Sequence, residues 1–218
     1  VDQQRADRAA RARQAREIPT PPTEVDVLAA VPDVTRMGAL RFRDADGYVG
    51  VGGDVASIVD IPALIAAVEA FADGAEYDSN LRRLVAAGTS VGGARPKATV
   101  RREDGTLAIA KFRRDEDLAN IVEWEAVGLR LATQAGIEVP PFRIIGPQGS
   151  TVLLVDRFDR GPDGARIGYI SADSLLGRVQ GEETTYVDFA DHIALHTSKR
   201  TDLEHLFRRI ALTLLVNN

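Results

Sequence analysis

Ten consecutive residues, Gly88-Thr89-Ser90-Val91-Gly92-Gly93-Ala94-Arg95-Pro96-Lys97, combine glycines, hydroxyls and cations at a density found nowhere else in the chain. Glycines let backbone N–H groups come close to an oxyanion, and hydroxyls and cations add donors around it. Phosphate cradling is the chemistry this composition suits; a plain turn ahead of a strand is the competing reading. The segment is not a Walker A loop, because Gly93 is not followed by Lys and then Ser or Thr. Nor does it fit the Gly-x-Gly-x-x-Gly-x-Val pattern of eukaryotic kinases.

A second candidate is Lys111 in Leu107-Ala108-Ile109-Ala110-Lys111-Phe112. Strand alternation puts it on the face of Leu107 and Ile109, the apolar and therefore inward one. A lysine there needs an anionic partner or a polar cavity, unless its stem packs and its ammonium snorkels off the strand end. The next helix offers a carboxylate. Leu118, Ile121, Val122, Leu129 and Ala132 mark its apolar stripe, and Glu125 falls on it. A carboxylate in that place pairs with a cation or bears a desolvation penalty. Glu123 and Arg130 point elsewhere and read as solvated surface. An inward strand Lys followed by an inward helix Glu, after a Gly-rich segment, is the Lys–Glu logic of a kinase N-lobe.

Val155-Asp156-Arg157-Phe158-Asp159-Arg160 then leaves an apolar strand and turns polar at once. In a bilobed kinase this is the place of the hinge, whose backbone groups serve adenine; a salt-bridged strand end is the alternative. His192 and His196 are spaced i, i+4, but no Glu follows His192 as a zinc-protease helix requires, so they read as surface histidines. Ser174, Ser198 and Trp124 stand in no constellation.

The elements that must position these residues follow from turn and cap signals. Asp104-Gly105 between 98–101 and 107–112 marks a hairpin. A helix is expected from Asp115 to about Ala135, with Asp115, Glu116 and Asp117 at its positive end and Gly136 as its C′ residue. A second hairpin fits 142–158, with 151–155 as a buried strand. Upstream, 37–42 reads as a short strand, and a helix runs from Pro62 to Gly74 with Leu64, Ile65, Val68 and Phe71 on its core face. After a Gly-rich turn at 161–164 the rest reads as helical. Phe189, Ile193 and Ala194 start one stripe there, and Leu206, Phe207, Ile210, Ala211, Leu214 and Leu215 form another. Strands first and helices after make an α+β arrangement.

Composition bounds the function. Of 218 residues, 27 are Lys or Arg and 32 Asp or Glu, a net charge of −5 that gives no overall footprint for nucleic acid. With no cysteine there is no disulfide and no Cys-ligated metal. No apolar run approaches the roughly 18 residues of a membrane span. A cytoplasmic protein is the expectation. Arg5, Arg8, Arg11, Arg13 and Arg16, diluted by Asp2 and Asp7, read as an exposed helix or arm, which Pro19, Pro21 and Pro22 terminate. The last apolar stripe stops at Asn217-Asn218 with no polar exit, and further sequence is expected beyond it. The organisation expected is an arm and connector over 1–35, the end of an N-terminal subdomain over 36–83, an N-lobe and hinge over 84–160, and the start of a helical C-lobe over 161–218.

Taken in order, the Gly-Thr-Ser-Val-Gly-Gly-Ala-Arg-Pro-Lys-Ala segment, Ala-Lys-Phe around Lys111, Glu125 ahead of Arg130-Leu131-Ala132 and Ala135-Gly136-Ile137, and Arg-Phe-Asp-Arg at 157–160 resemble the HipA family. Those are bacterial Ser/Thr kinases that act as toxins of type II toxin–antitoxin modules. Met37-Gly38-Ala39-Leu40-Arg41-Phe42 resembles the end of that family's N-terminal subdomain. The resemblance implies a kinase-like bilobed fold and, with ATP and Mg2+ as cofactors, phosphorylation of a protein, an aminoacyl-tRNA synthetase being the family precedent. It implies that Gly92, Gly93, Ala94, Arg95, Pro96 and Lys97 form the nucleotide loop. Lys111 would meet phosphates beside Glu125, Asp156, Arg157 and Phe158 would form the hinge, and Asp159 would sit near the ribose. Ser90 matches the loop serine that the family autophosphorylates to switch itself off. The partner implied is a DNA-binding, HipB-like antitoxin, with no direct nucleic-acid or membrane contact by this chain. The family's Asp-Asp-His-x-x-Asn catalytic loop and metal-binding Asp would follow Asn218, so no catalytic or metal-ligating residue is expected within 1–218. A nucleotide-binding pseudokinase and a small-molecule phosphotransferase are the alternative readings.

Overall fold

Turn chemistry organises the central hairpin. In a computed structural model, which describes residues 31–50, 55–72, 95–114, 119–147, 150–177, 183–197 and 201–216 with a few isolated positions, Gly105 takes φ +84. The Asp104 carboxylate accepts from the Thr106 N–H and hydroxyl. The backbone therefore reverses at Asp104-Gly105 as the sequence signals.

The elements run β1 (Arg43–Asp44), β2 (Gly47–Tyr48), β3 (Ala56–Ser57), α1 (Ile61–Ala72), β4 (Lys97–Arg101), β5 (Leu107–Phe112), α2 (Ile121–Gln134), β6 (Phe142–Ile145), β7 (Val152–Asp156), α3 (Ala172–Leu175), α4 (Tyr186–His196) and α5 (Thr201–Val216). This is the expected mixed α+β class. β1 and β2 form a small hairpin, and the other strands a five-stranded sheet in the order β3-β4-β5-β7-β6. Only β3 runs parallel to its neighbour, with Ala56 opposite Val100; the other pairs are antiparallel.

The chain divides into two compact units, Val1–Glu123 with Pro141–Gly168, and Trp124–Pro140 with Tyr169–Asn218. In the first, one face of the sheet packs on α1. Ala98, Val100, Ala108, Ala110, Phe112, Val152 and Leu154 close over Ile61, Leu64, Ala67 and Val68, with Ile65 partly buried beside them. The alanines of β4 and β5 are fully buried because a helix approaches a sheet closest over small side chains.

Three expectations need correction. Residues 37–42 form bends and irregular chain rather than a strand. Gly38, at φ +65, turns the backbone there so that its N–H meets a buried carboxylate. The helix expected from Asp115 begins instead at Ile121, where the Asn120 side chain accepts the Glu123 N–H and acts as the N-cap. None of the side chains expected on the last apolar stripe is buried either: Phe207, Leu214 and Leu215 are exposed, and Leu206, Ile210 and Ala211 half-buried.

In the second unit α4 begins with a capping box. Thr185 Oγ1 accepts from the Asp188 N–H, and the Asp188 carboxylate accepts from the Thr185 N–H. α2 ends as expected on Gly136, at φ +69, with the Ile137 N–H donating to Ala132. Arg209 of α5 donates to the Glu138 carbonyl just beyond, at 2.7 Å.

Candidate functional site

β4 and β5 bring two candidate residues together. Lys97 and Lys111 are directly opposed in the antiparallel register, so their side chains leave the same face of adjacent strands. That face is not the one packed on α1. Ala108, Ala110 and Phe112 take the α1 side, while Leu107, Ile109 and Lys111 take the other, where Lys111 is half-buried. Lys111 shares the face of Leu107 and Ile109, as the alternation implies, and that face also carries the buried Leu153. Its stripe is apolar because the central strand is covered on both faces, and alternation alone does not say which face meets the helix.

Thr99 lies between the lysines and the turn on that same face, opposite Ile109. It is fully buried, and its hydroxyl has no hydrogen-bond partner. The two lysines and Thr99 thus share one face of adjacent strands.

Ser90, Gly92, Gly93 and Ala94 lie outside the described residues, as does the arm over 1–16. The end of the Gly-rich segment is described. Arg95 pairs with Asp117 at 2.6 Å, and the Pro96 carbonyl accepts from the Phe112 N–H at 3.1 Å. The Arg95 hydrogen bond and the Arg114 N–H hold the Asp117 carboxyl below the usual carboxylate range against its desolvation. The Pro96 contact ties this end of the segment to the end of β5, and the Arg95 contact ties it to the chain just after. Glu125 is half-buried on the part of α2 that belongs to the second unit.

The polar stretch after β7 has another occupation. Asp156 pairs with Arg102. Arg157 and Asp159 are buried and pair with one another at 2.7 Å. Arg157 donates to the carbonyls of Thr35 and Arg36 at 2.8 and 3.1 Å. The Asp159 carboxylate, 2% exposed as a residue, also accepts from the Gly38 N–H at 2.6 Å and from Arg160 at 2.9 Å. These side chains bind the 33–38 segment to the end of the sheet. Of the stretch, Phe158 is the exposed side chain, and the main chain runs past it.

Residues 33–38 are held from further sides. Asp33 pairs with Arg41 and Arg166 at 2.7 and 3.2 Å. Arg160 reaches the carbonyls of Val34 and Arg36. Burial raises the Asp159 carboxyl, but Arg157, the Gly38 N–H and Arg160 outweigh it and hold it below the usual range. Burial, then the neighbouring Arg157, push the Arg160 guanidinium below its ordinary value against the pull of Asp159. Sequence reasoning missed Asp33, Arg36 and Arg166, and it met Arg160 only as part of the polar stretch at 155–160; the density of arginine over 157–166 was the available signal.

Among the described residues, no three histidine or carboxylate side chains are grouped to hold a metal ion, and no helix is long and apolar enough to cross a membrane. His192 Nδ1 lies 2.9 Å from the carbonyl of Asp188 in its own helix.

A small mixed sheet followed by helices, with opposed lysines on two adjacent strands, defines an α+β protein. The family of HipA-like C-terminal domains matches over residues 89–218, more than half of the chain, and the chain belongs to that family. Comparisons with curated proteins and with solved structures found no match.

Proposed function

We propose that this chain is part of a HipA-type serine/threonine kinase toxin and binds ATP through the face of β4 and β5 that carries Lys97 and Lys111. The opposition of those lysines carries the reading. Directly opposed lysines bring two cationic side chains to one place on the sheet, and phosphate oxygens are acceptors that suit both. The family supplies the chemical class. ATP, when bound, provides the phosphoryl group that is transferred to a hydroxyl of a protein substrate.

The roles of this chain's residues follow. Lys97 and Lys111 hold phosphate oxygens, and Arg95, tied to Asp117, fixes the end of the Gly-rich loop formed with Gly92, Gly93, Ala94 and Pro96. Main-chain groups of 156–158 serve the adenine. Arg157 and Asp159 keep that segment in place through 33–38 rather than touching nucleotide. Ser90 is the regulatory phosphorylation site, where a phosphate adds roughly −1.5 to −2 charge to compete for the same donors. Mg2+ accompanies the nucleotide, and no described residue is assigned to it. A HipB-like, DNA-binding antitoxin is the partner.

Calorimetric titration with Mg-ATP tests this. Lys111→Ala removes a charge-assisted hydrogen bond and is expected to weaken binding by about 1.5–3 kcal/mol. Unchanged affinity would return Lys111 to a snorkelling surface role.

A further inference from the structure

At the other end of the β4–β5 hairpin from the lysine pair, the turn over 102–106 and the turn over 161–165 line a pocket of about 360 Å³. That volume falls at the small end of the range for small-molecule sites. Arg101, Arg160 and Arg166 contribute to its walls. Arg160 and Arg166 belong to the cluster around 33–38, in which Arg36, Arg41, Arg157, Arg160 and Arg166 meet, among the described residues, two carboxylates, Asp33 and Asp159. The cluster is thus short of negative charge. Arg166 Nη1 and Arg36 Nε are buried with no acceptor, a costly state for a guanidinium.

The two carboxylates in the pocket wall do not answer that deficit. Asp104 accepts the N–H and hydroxyl of Thr106, and Asp163 accepts the Ala165 N–H at 2.9 Å. Each stabilises its own turn. Arg101 donates to the Gly105 carbonyl at 3.1 Å and is otherwise exposed at the rim.

We propose that this pocket is a second anion site, separate from the lysine pair, and that it takes the phosphate group of a small phosphorylated metabolite. A phosphate with three acceptor oxygens and up to two charges answers several guanidiniums at once, whereas a planar carboxylate is served by a single fork. Arg101, exposed, contacts the phosphate from solvent, and Arg166, whose Nη1 has no acceptor, supplies a second guanidinium.

The test is an NMR titration of the 15N-labelled chain with inorganic phosphate at low ionic strength, read at the amides of Gly105, Thr106, Gly161 and Gly164. Saturable shifts at both turns are expected. Arg101→Gln should weaken the apparent affinity about tenfold, and Lys111→Ala should leave it unchanged. Arg101 is chosen because its side chain is exposed, so the variant keeps its fold; a retained spectrum away from the turns checks this. Arg101→Lys should fall between the two, keeping charge without the fork. Shifts that do not saturate, or that ignore Arg101→Gln, overturn the site. Shifts abolished by Lys111→Ala overturn its separateness, and succinate binding as tightly as phosphate overturns the phosphate assignment.

Discussion

Replacing Asp159 by Asn tests the charged cluster at its most buried point. The carboxylate accepts from Gly38 at 2.6 Å, from Arg157 at 2.8 and 2.7 Å, and from Arg160 at 2.9 Å. The side chains of Arg157 and Arg160 are only 1% and 7% exposed. An asparagine keeps the shape and one acceptor for Gly38 but presents an NH2 group to the guanidiniums. Two buried cations then lose their counter-charge, and removing one partner of a buried pair costs about 3–5 kcal/mol. At about 2–4 °C per kcal/mol for a chain of this length, the melting temperature should fall by roughly 6–20 °C. Urea denaturation followed by circular dichroism measures the loss without adding salt, which would screen the charges. Exchange of the Gly38 amide should accelerate in parallel. Because the folded-state pKa of Asp159 is depressed, its stabilisation is complete above the unfolded carboxylate pKa of about 3.9 and disappears as pH falls through the lower folded value. The gap between wild type and Asp159→Asn should therefore narrow on acidification below about pH 4. A loss under about 1 kcal/mol near neutral pH, with Gly38 exchange unchanged, would refute the reasoning.

Two further substitutions probe local geometry. Gly50 sits at φ +82, and a Cβ there would collide with the Val31 carbonyl oxygen and stand 3.0 Å from the Asp33 nitrogen. Both obstacles are backbone, so Gly50→Ala should cost about 1–3 kcal/mol, measured by urea denaturation. Thr185→Ala removes half of the capping box on α4 and should cost about 1 kcal/mol, with faster amide exchange confined to the first turn of that helix.

Features that depend on neighbouring residues were legible in the sequence. The turn at Asp104-Gly105, the cap at Gly136, α1 and the β6–β7 hairpin all follow from period and from residues that favour particular backbone angles. The start of α2 was misread for a related reason. A run of acidic residues at 115–117 suits a helix start, but so does Asn120, and local chemistry does not rank them. The ordered set of Gly-rich segment, Lys111, Glu125 and Arg-Phe-Asp-Arg carried the family, because its members are local motifs whose order survives without coordinates.

What the amino-acid sequence determined by itself was therefore the local elements, the family and the list of candidate residues. Tertiary structure decided which of those residues meet. Whether Lys111 lies on the face packed against α1 depends on how close a helix can approach, and the buried alanines of β4 and β5 settle that in favour of the opposite face. The parallel pairing of Ala56 with Val100 and the bond from Gly38 to Asp159, 121 positions apart, join segments with no shared period. A hydrogen bond across such a distance is set by the whole chain's packing. The pattern near either residue is the same whether Asp159 faces solvent, a ribose or the amide of Gly38; only the folded chain brings that amide within reach and makes the carboxylate a structural anchor.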